Sequence, residues 1–234
     1  MVPDRFRTAV FSVVYILSAA VFVLWPARLP VPPGAGGWAL RAIDTLAFPT
    51  AAAAVVVHLR RMRQKNSLRG NFERFEGTYE RILDAVVVLM AGTHLTILAY
   101  LTAGRVWLGS IIPILLGGTI AYAGNLLPRL RPNAIIGIRT PWTLRDHGVW
   151  MRTHRIAGYG FVLWGFLLMA AAVFSFPLTW VVFVAGAAAL LIGLSAASCL
   201  LWRSRPAATA GSSGFYDLPL GPSNHDSEHS DSYR

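Results

Sequence analysis

"ILDAVVVLMAGTHLTILAYLTA", residues 82–103, runs for 22 positions with Asp84 as its one charged residue. At the rise of an α-helix a run of this length covers about 33 Å, enough to cross bilayer hydrocarbon, which takes about 20 apolar residues. A soluble helix carries a broad polar face. This run has none, and it predicts a transmembrane helix. The whole chain agrees: of 234 residues 55% are hydrophobic and 14% are charged, with mean hydropathy +0.51. A soluble domain carries about 25% charged residues.

Working outward at the same length finds six candidate spans, at about 8–25, 41–59, 82–103, 106–127, 156–175 and 179–202. The expected fold class is all-α, a polytopic membrane protein with six transmembrane helices. The second span carries Arg41 and Asp44 in its first turn and Pro49 inside it. Proline is tolerated in a span when the carbonyl it frees finds another donor. The first run follows Arg5 and Arg7 as a signal peptide would, but no small-x-small cleavage site precedes "WPARLP", so it reads as an uncleaved anchor. The lone Cys199 excludes an internal disulfide. Residues 1–205 are therefore expected to form a membrane domain. Residues 206–234, rich in Ser, Gly, Pro and acids, hold too little apolar surface to fold and are expected to be a disordered cytoplasmic tail. His225 and His229 in that tail read as solvated rather than metal-binding.

Basic residues set the orientation, because short cytoplasmic loops retain Lys and Arg. Two lie at the N-terminus, seven in 60–81, six in 129–155 and three beyond the last span. Only Arg28, Arg41 and Arg105 fall on the other side, a bias of eighteen to three that puts both termini in the cytoplasm. Trp25, Trp38, Trp107 and Trp180 then gather at the outer interface, where amphipathic rings prefer to sit. The net charge of +10 is thereby accounted for by orientation, and no nucleic-acid partner is expected.

Helices in lipid associate through small residues that let backbones approach. Ala185, Ala189, Gly193 and Ala197 form such a stripe in the sixth span, and Gly117 with Ala121, and Gly158 with Gly165, suggest contacts of the fourth and fifth. Intramembrane polar residues are costly unless they face a partner or water, which singles out Asp84, His94 and Asn125. His94 reads equally as an interhelical hydrogen bond and as part of a polar pathway. Asp84, one turn inside its span, is open to water or to an arginine of the 60–81 loop.

Between the fourth and fifth spans lies "NAIIGIRTPWTLRDHGVWMRTHRIAG", residues 133–158, with four arginines, two tryptophans and two histidines. Orientation accounts for Arg129, Arg131 and Arg145 but not for the tryptophans. "RTPWTLRD" has the chemistry of a helix start: Pro141 suits the first helical position, Thr140 or Thr143 can cap, and Thr143 with Asp146 fits a capping box. A helix from there would run directly into the fifth span, with His147, Trp150 and His154 along one face. A zinc site wants converging ligands with a carboxylate nearby, and Asp146 does not share that face, so neither metal nor cofactor is expected. No metalloprotease, nucleophile-elbow or phosphate-loop motif is present, which argues against an enzyme. The composition suits docking of anionic headgroups or of a protein. The expected contact residues are Asn133, Arg139, Thr140, Pro141, Trp142, Trp150, His154 and Arg155.

"GNLLPRLRPNAIIGIRTPWTL", residues 124–144, followed by "VWMRTHRIAG", residues 149–158, resembles the signature of the SdpI family of bacterial membrane proteins. The likeness runs from Gly124 and Asn125 through Asn133, Gly137 and the run Arg139 to Leu144 to Trp150, His154 and Gly158. It implies a multi-pass, non-enzymatic protein of the bacterial plasma membrane. It also implies protection against a secreted peptide toxin and docking of a cytoplasmic regulator. The competing reading from the residues alone is a small transporter or proton-coupled channel using His94 and Asp84. The charge bias carries a direct prediction: topology reporters fused after residues 70, 146 and 210 give cytoplasmic signals, and one fused after residue 33 an external signal. An external signal at 146 overturns the orientation and the cytoplasmic docking loop together.

Overall fold

The computed structural model describes residues 4–24, 37–64, 75–103, 110–133 and 135–205. Regular structure among them is helical: α1 (Asp4–Leu24), α2 (Gly37–Gln64), α3 (Glu76–Ala103), α4 (Ile111–Leu126), a short α5 (Pro141–Arg145), α6 (His147–Phe174) and α7 (Phe176–Arg203). Each of the six predicted runs overlaps a long helix. Five of those helices, α1, α3, α4, α6 and α7, are long and apolar enough to cross a membrane. In α2 the apolar stretch is Thr45–Leu59, shorter than the roughly 20 residues a crossing takes. Trp25, Trp107 and the 206–234 tail, with His225 and His229, lie outside the described residues.

Neighbours in the bundle follow chain order closely. Helix α1 packs on α2 and α3, α3 on α4, α4 on α6, and α6 on α7. Ile16, Leu24, Leu163, Phe166, Phe174, Leu191 and Ile192 project outward and are exposed. A water-soluble monomer does not carry apolar patches on this scale, whereas a bilayer solvates them. At 28 residues each, α6 and α7 extend about 42 Å, longer than the roughly 30 Å hydrocarbon layer, so their ends reach into the headgroup region.

Small residues hold α4 against α6. A Cβ at Gly124 would lie 2.9 Å from the Gly158 carbonyl oxygen, and one at Gly117 would lie 2.6 Å from that of Gly165. Gly165 also faces Ala121. The pairs suggested separately in the fourth and fifth spans are thus two halves of one antiparallel interface. The stripe in α7 behaves otherwise: Ala185 and Ala189 are exposed, and nothing lies within 4 Å of a Cβ at Gly193. Helix α7 meets α6 through another face, with Gly186 against the Trp164 indole and Leu190 over Gly160. Spacing of small residues identifies a face that can pack, but not which face is used.

Gly165→Ala is therefore expected to lower stability by about 1–3 kcal/mol, the range for overpacking a close contact. Gly193→Ala, in open space, should leave it unchanged or slightly raised. Thermal unfolding of both variants in the same detergent checks this, and equal behaviour would remove the α4–α6 contact as the cause.

Candidate functional site

The segment joining α4 to α6 passes through irregular backbone at the edge of the bundle, where every peptide group needs a partner. After α4 a single 3-10 turn, Leu127–Arg129, carries Pro128 and ends as Leu130 turns extended. The carbonyl of Leu130 accepts from Trp150 Nε1 at 2.9 Å. Next, the fully buried Asn133 amide serves four backbone groups: Nδ2 donates to the carbonyls of Arg131 (2.8 Å) and Ile136 (2.9 Å), while Oδ1 accepts from the N–H groups of Ile135 (2.8 Å) and Ile136 (2.7 Å). Two donors and two acceptor lone pairs are all an amide has. Asn133 is saturated.

Gly137 follows at φ 121°, a conformation L side chains rarely adopt, and a Cβ there would also strike the rings of Trp150 and His154. The glycine lets the chain fold down onto those rings. The Ile138 N–H then donates to His154 Nε2 at 3.0 Å, and His154 Nδ1 lies 2.8 Å from the Trp150 carbonyl. With an N–H on one side and a carbonyl on the other, the imidazole accepts at Nε2 and donates at Nδ1. Trp150 and His154 stack with ring centroids 4.1 Å apart, and neither is exposed. Together, Asn133, Trp150 and His154 form a buried clasp around the loop.

Beyond the clasp, Thr140 caps α5. Its Oγ1 accepts from the Thr143 N–H (3.2 Å), and Thr143 Oγ1 accepts from the Thr140 N–H (2.9 Å). The Thr140 hydroxyl also donates to Ser198 Oγ of α7 at 3.0 Å. The predicted single helix is in fact two: Asp146, extended at φ −147° and ψ 124°, interrupts it and caps α6 by accepting from the Val149 N–H at 2.8 Å. The capping box is Thr140 with Thr143, not Thr143 with Asp146. Asp146 Oδ2 also faces Arg205 at 3.7 Å, and the Arg205 guanidinium lies 3.2 Å above the Trp202 ring.

The eight contact residues expected from the sequence therefore divide by burial. Asn133, Trp150 and His154 turn inward and hold the loop. Arg139, Pro141 and Arg155 are exposed, while Thr140 and Trp142 are half-buried. His147 is exposed and does not join the buried Trp150 and His154. Among the described residues, no group of three His, Cys, Asp or Glu side chains is placed to hold a metal.

Two of the intramembrane polar residues, Asp84 and His94, belong to the other half of the bundle. Asp84 is paired with Arg7 of α1 rather than with the 60–81 loop: Arg7 Nε lies 2.6 Å from Asp84 Oδ1, and Arg7 Nη1 lies 2.7 Å from Glu80 Oε2. Arg7 Nη2 also donates to the Glu80 carbonyl at 2.8 Å. His94 is buried, with Nε2 2.9 Å from Ser18 Oγ of α1 and a ring hydrogen bond to the backbone of Thr45 in α2. Thr45 is four residues before Pro49, so its carbonyl is the one that the proline leaves without a helical donor. Asn125 is exposed on α4.

The whole defines a multi-pass helical membrane protein in which a buried Asn, Trp and His fix one irregular loop between α4 and α6. Residues 129–198 match the SdpI/YfhL protein family. Within that segment the loop is tied to α7, where Thr140 reaches Ser198. The chain is also 32% identical over 94 residues to Immunity protein SdpI of Bacillus subtilis (strain 168), a match covering 40% of this chain and 44% of that relative. No solved structure matches the chain.

Replacing Asn133 by Leu should destabilise the protein by about 1–3 kcal/mol for each backbone group left unsatisfied. Amide exchange at Ile135 and Ile136 should quicken before exchange in the middle of α6 does. Unchanged exchange at those amides would show that something other than Asn133 holds the loop.

Proposed function

We propose that the protein is a six-span immunity protein of the bacterial plasma membrane, with both termini cytoplasmic. In this reading it protects against a secreted peptide toxin and presents its 129–155 loop to a cytoplasmic regulator. The observation that carries the reading is the match of residues 129–198 to the SdpI/YfhL family together with the named immunity relative. The site geometry supports it: a rigid clasp presents Arg139 at the surface, where no described acid pairs with it. The clasp fixes the backbone beside Arg139, and its guanidinium fork suits a carboxylate or phosphate partner. Protection by binding needs no catalytic group, and in this reading the protein is a binder rather than an enzyme. Transport through His94 and Asp84 is the second reading. It has less support, because both residues already bridge helices to Ser18 and Arg7.

Expression in a toxin-susceptible bacterium, with survival and membrane conductance recorded together, separates these readings. Immunity gives survival without a new conductance, and pH-dependent flux would favour transport instead. Arg139→Ala and Trp142→Ala are expected to abolish protection at normal membrane abundance, equivalent to about a thirtyfold loss of partner affinity for a residue of hot-spot type. Arg129→Ala should protect as the parent does. Full protection by Arg139→Ala, or failure only through degradation, would end the docking role.

A further inference from the structure

A half-open cleft of about 530 Å³ runs between α6 and α7, and it begins at the clasped loop. Phe161 and Trp164 of α6 and Ala187, Leu190, Leu191 and Leu194 of α7 line its length. From Ser195 to Ala187 it follows α7 for about 12 Å at the helical rise. Its outer lip is Leu191, which is 73% exposed, so the opening faces the bilayer. Trp164 is fixed in the wall by its Nε1, which donates to the Val182 carbonyl at 3.1 Å. At the loop end stand Arg139, Thr140 and Ser195.

We propose that this cleft binds one anionic phospholipid from the surrounding leaflet, with an acyl chain between Trp164 and Leu191 and the phosphate at Arg139. Three observations select that occupant. An apolar trough open to hydrocarbon is filled by acyl chain, since water there would lack hydrogen-bond partners. The charge is complementary, because residues 129–155 carry six arginines against Asp146 alone, and Arg203 and Arg205 close α7 at the same end. Basic residues placed at a membrane surface select anionic lipid. Finally, the two hydroxyls at the mouth already donate within the protein, Ser195 Oγ to the Leu191 carbonyl at 2.7 Å and Thr140 Oγ1 to Ser198 at 3.0 Å. The side-chain donor left at the mouth for a phosphate oxygen is the Arg139 guanidinium, with five N–H groups in a fixed fork. The site requires only that the protein lie in a membrane and does not depend on the immunity reading.

The test uses the full-length protein, without toxin. Native mass spectrometry from detergent counts retained dioleoyl phosphatidylglycerol and dioleoyl phosphatidylcholine, and brominated-chain versions of both in vesicles quench tryptophan. The Trp164→Phe difference isolates the signal from the cleft. Phosphatidylglycerol should be retained in preference, and Arg139→Gln should reduce that preference about fivefold, the effect of one basic residue at an anionic surface. Arg139→Lys should keep part of it, and Arg129→Gln all of it. Ala187→Leu, which fills the trough, should abolish the Trp164 quench while the protein remains folded by circular dichroism. Equal retention of the two lipids, or a Trp164 quench unchanged in Ala187→Leu, overturns the proposal. So does displacement by millimolar inorganic phosphate, which would make this an anion site without a lipid chain. A co-purifying peptide mass in place of lipid overturns it in favour of a peptide groove.

Discussion

Irregular backbone at the edge of a hydrocarbon layer must find all its hydrogen bonds inside the protein, and the 130–140 segment is built around that requirement. Around the fully buried Asn133 water cannot complete what the fold leaves unmet, and an unpaired peptide group there costs several kcal/mol. Asn133 answers for four peptide groups, Trp150 Nε1 for the Leu130 carbonyl, His154 Nε2 for the Ile138 N–H, and Thr143 Oγ1 for the Ile138 carbonyl at 2.8 Å. Remove one and its partners are stranded. Loop, α6 and α7 are consequently a single unit, and the surface position of Arg139 is set by groups that are themselves buried.

The same constraint operates at Pro49 in the other half of the bundle. A proline within α2 removes one hydrogen bond and frees the Thr45 carbonyl, and the buried His94 ring binds the Thr45 backbone where α2 lies against α3. Ser18 completes the contact from α1. One imidazole thus joins three helices at a point where one of them is defective. The Arg7, Glu80 and Asp84 cluster ties α1 to α3 two to three turns away, with Arg7 also donating to the Glu80 carbonyl.

Much of the architecture is legible in the sequence because membrane helices are written locally. Apolar run length locates the helices, and neighbours at i and i+4 place Trp150 and His154 on one face of α6. The shortfall in α2 is legible too, in Arg41, Asp44 and Pro49. The pairing of Arg7 with Asp84 is not legible, since 77 residues separate them and any basic residue near the interface satisfies the same pattern. Nor is the break at Asp146, where an acid suited to an ongoing first turn proves an equally good cap for a new helix. Asn133 reads in sequence as a surface contact, because a polar residue in a basic loop is usually solvated. Only the folded loop shows its amide to be saturated. The small-residue stripe of α7 fails for the opposite reason: it is strongly patterned, yet the helix packs through Gly186 and Leu190.

The Arg7 cluster also bears on the order in which the chain assembles. A ribosome adds about 5–20 residues per second, so the 77 residues between Arg7 and Asp84 take roughly 4–15 s to make. Throughout that interval α1 exists with its guanidinium at the membrane boundary and without its acidic partners, which arrive only with α3. Until then the cation is served by headgroups and water. The ion pair of α1 with α3 therefore waits for the third helix, whereas its contact with α2, through Tyr15 and Thr50, needs only the second.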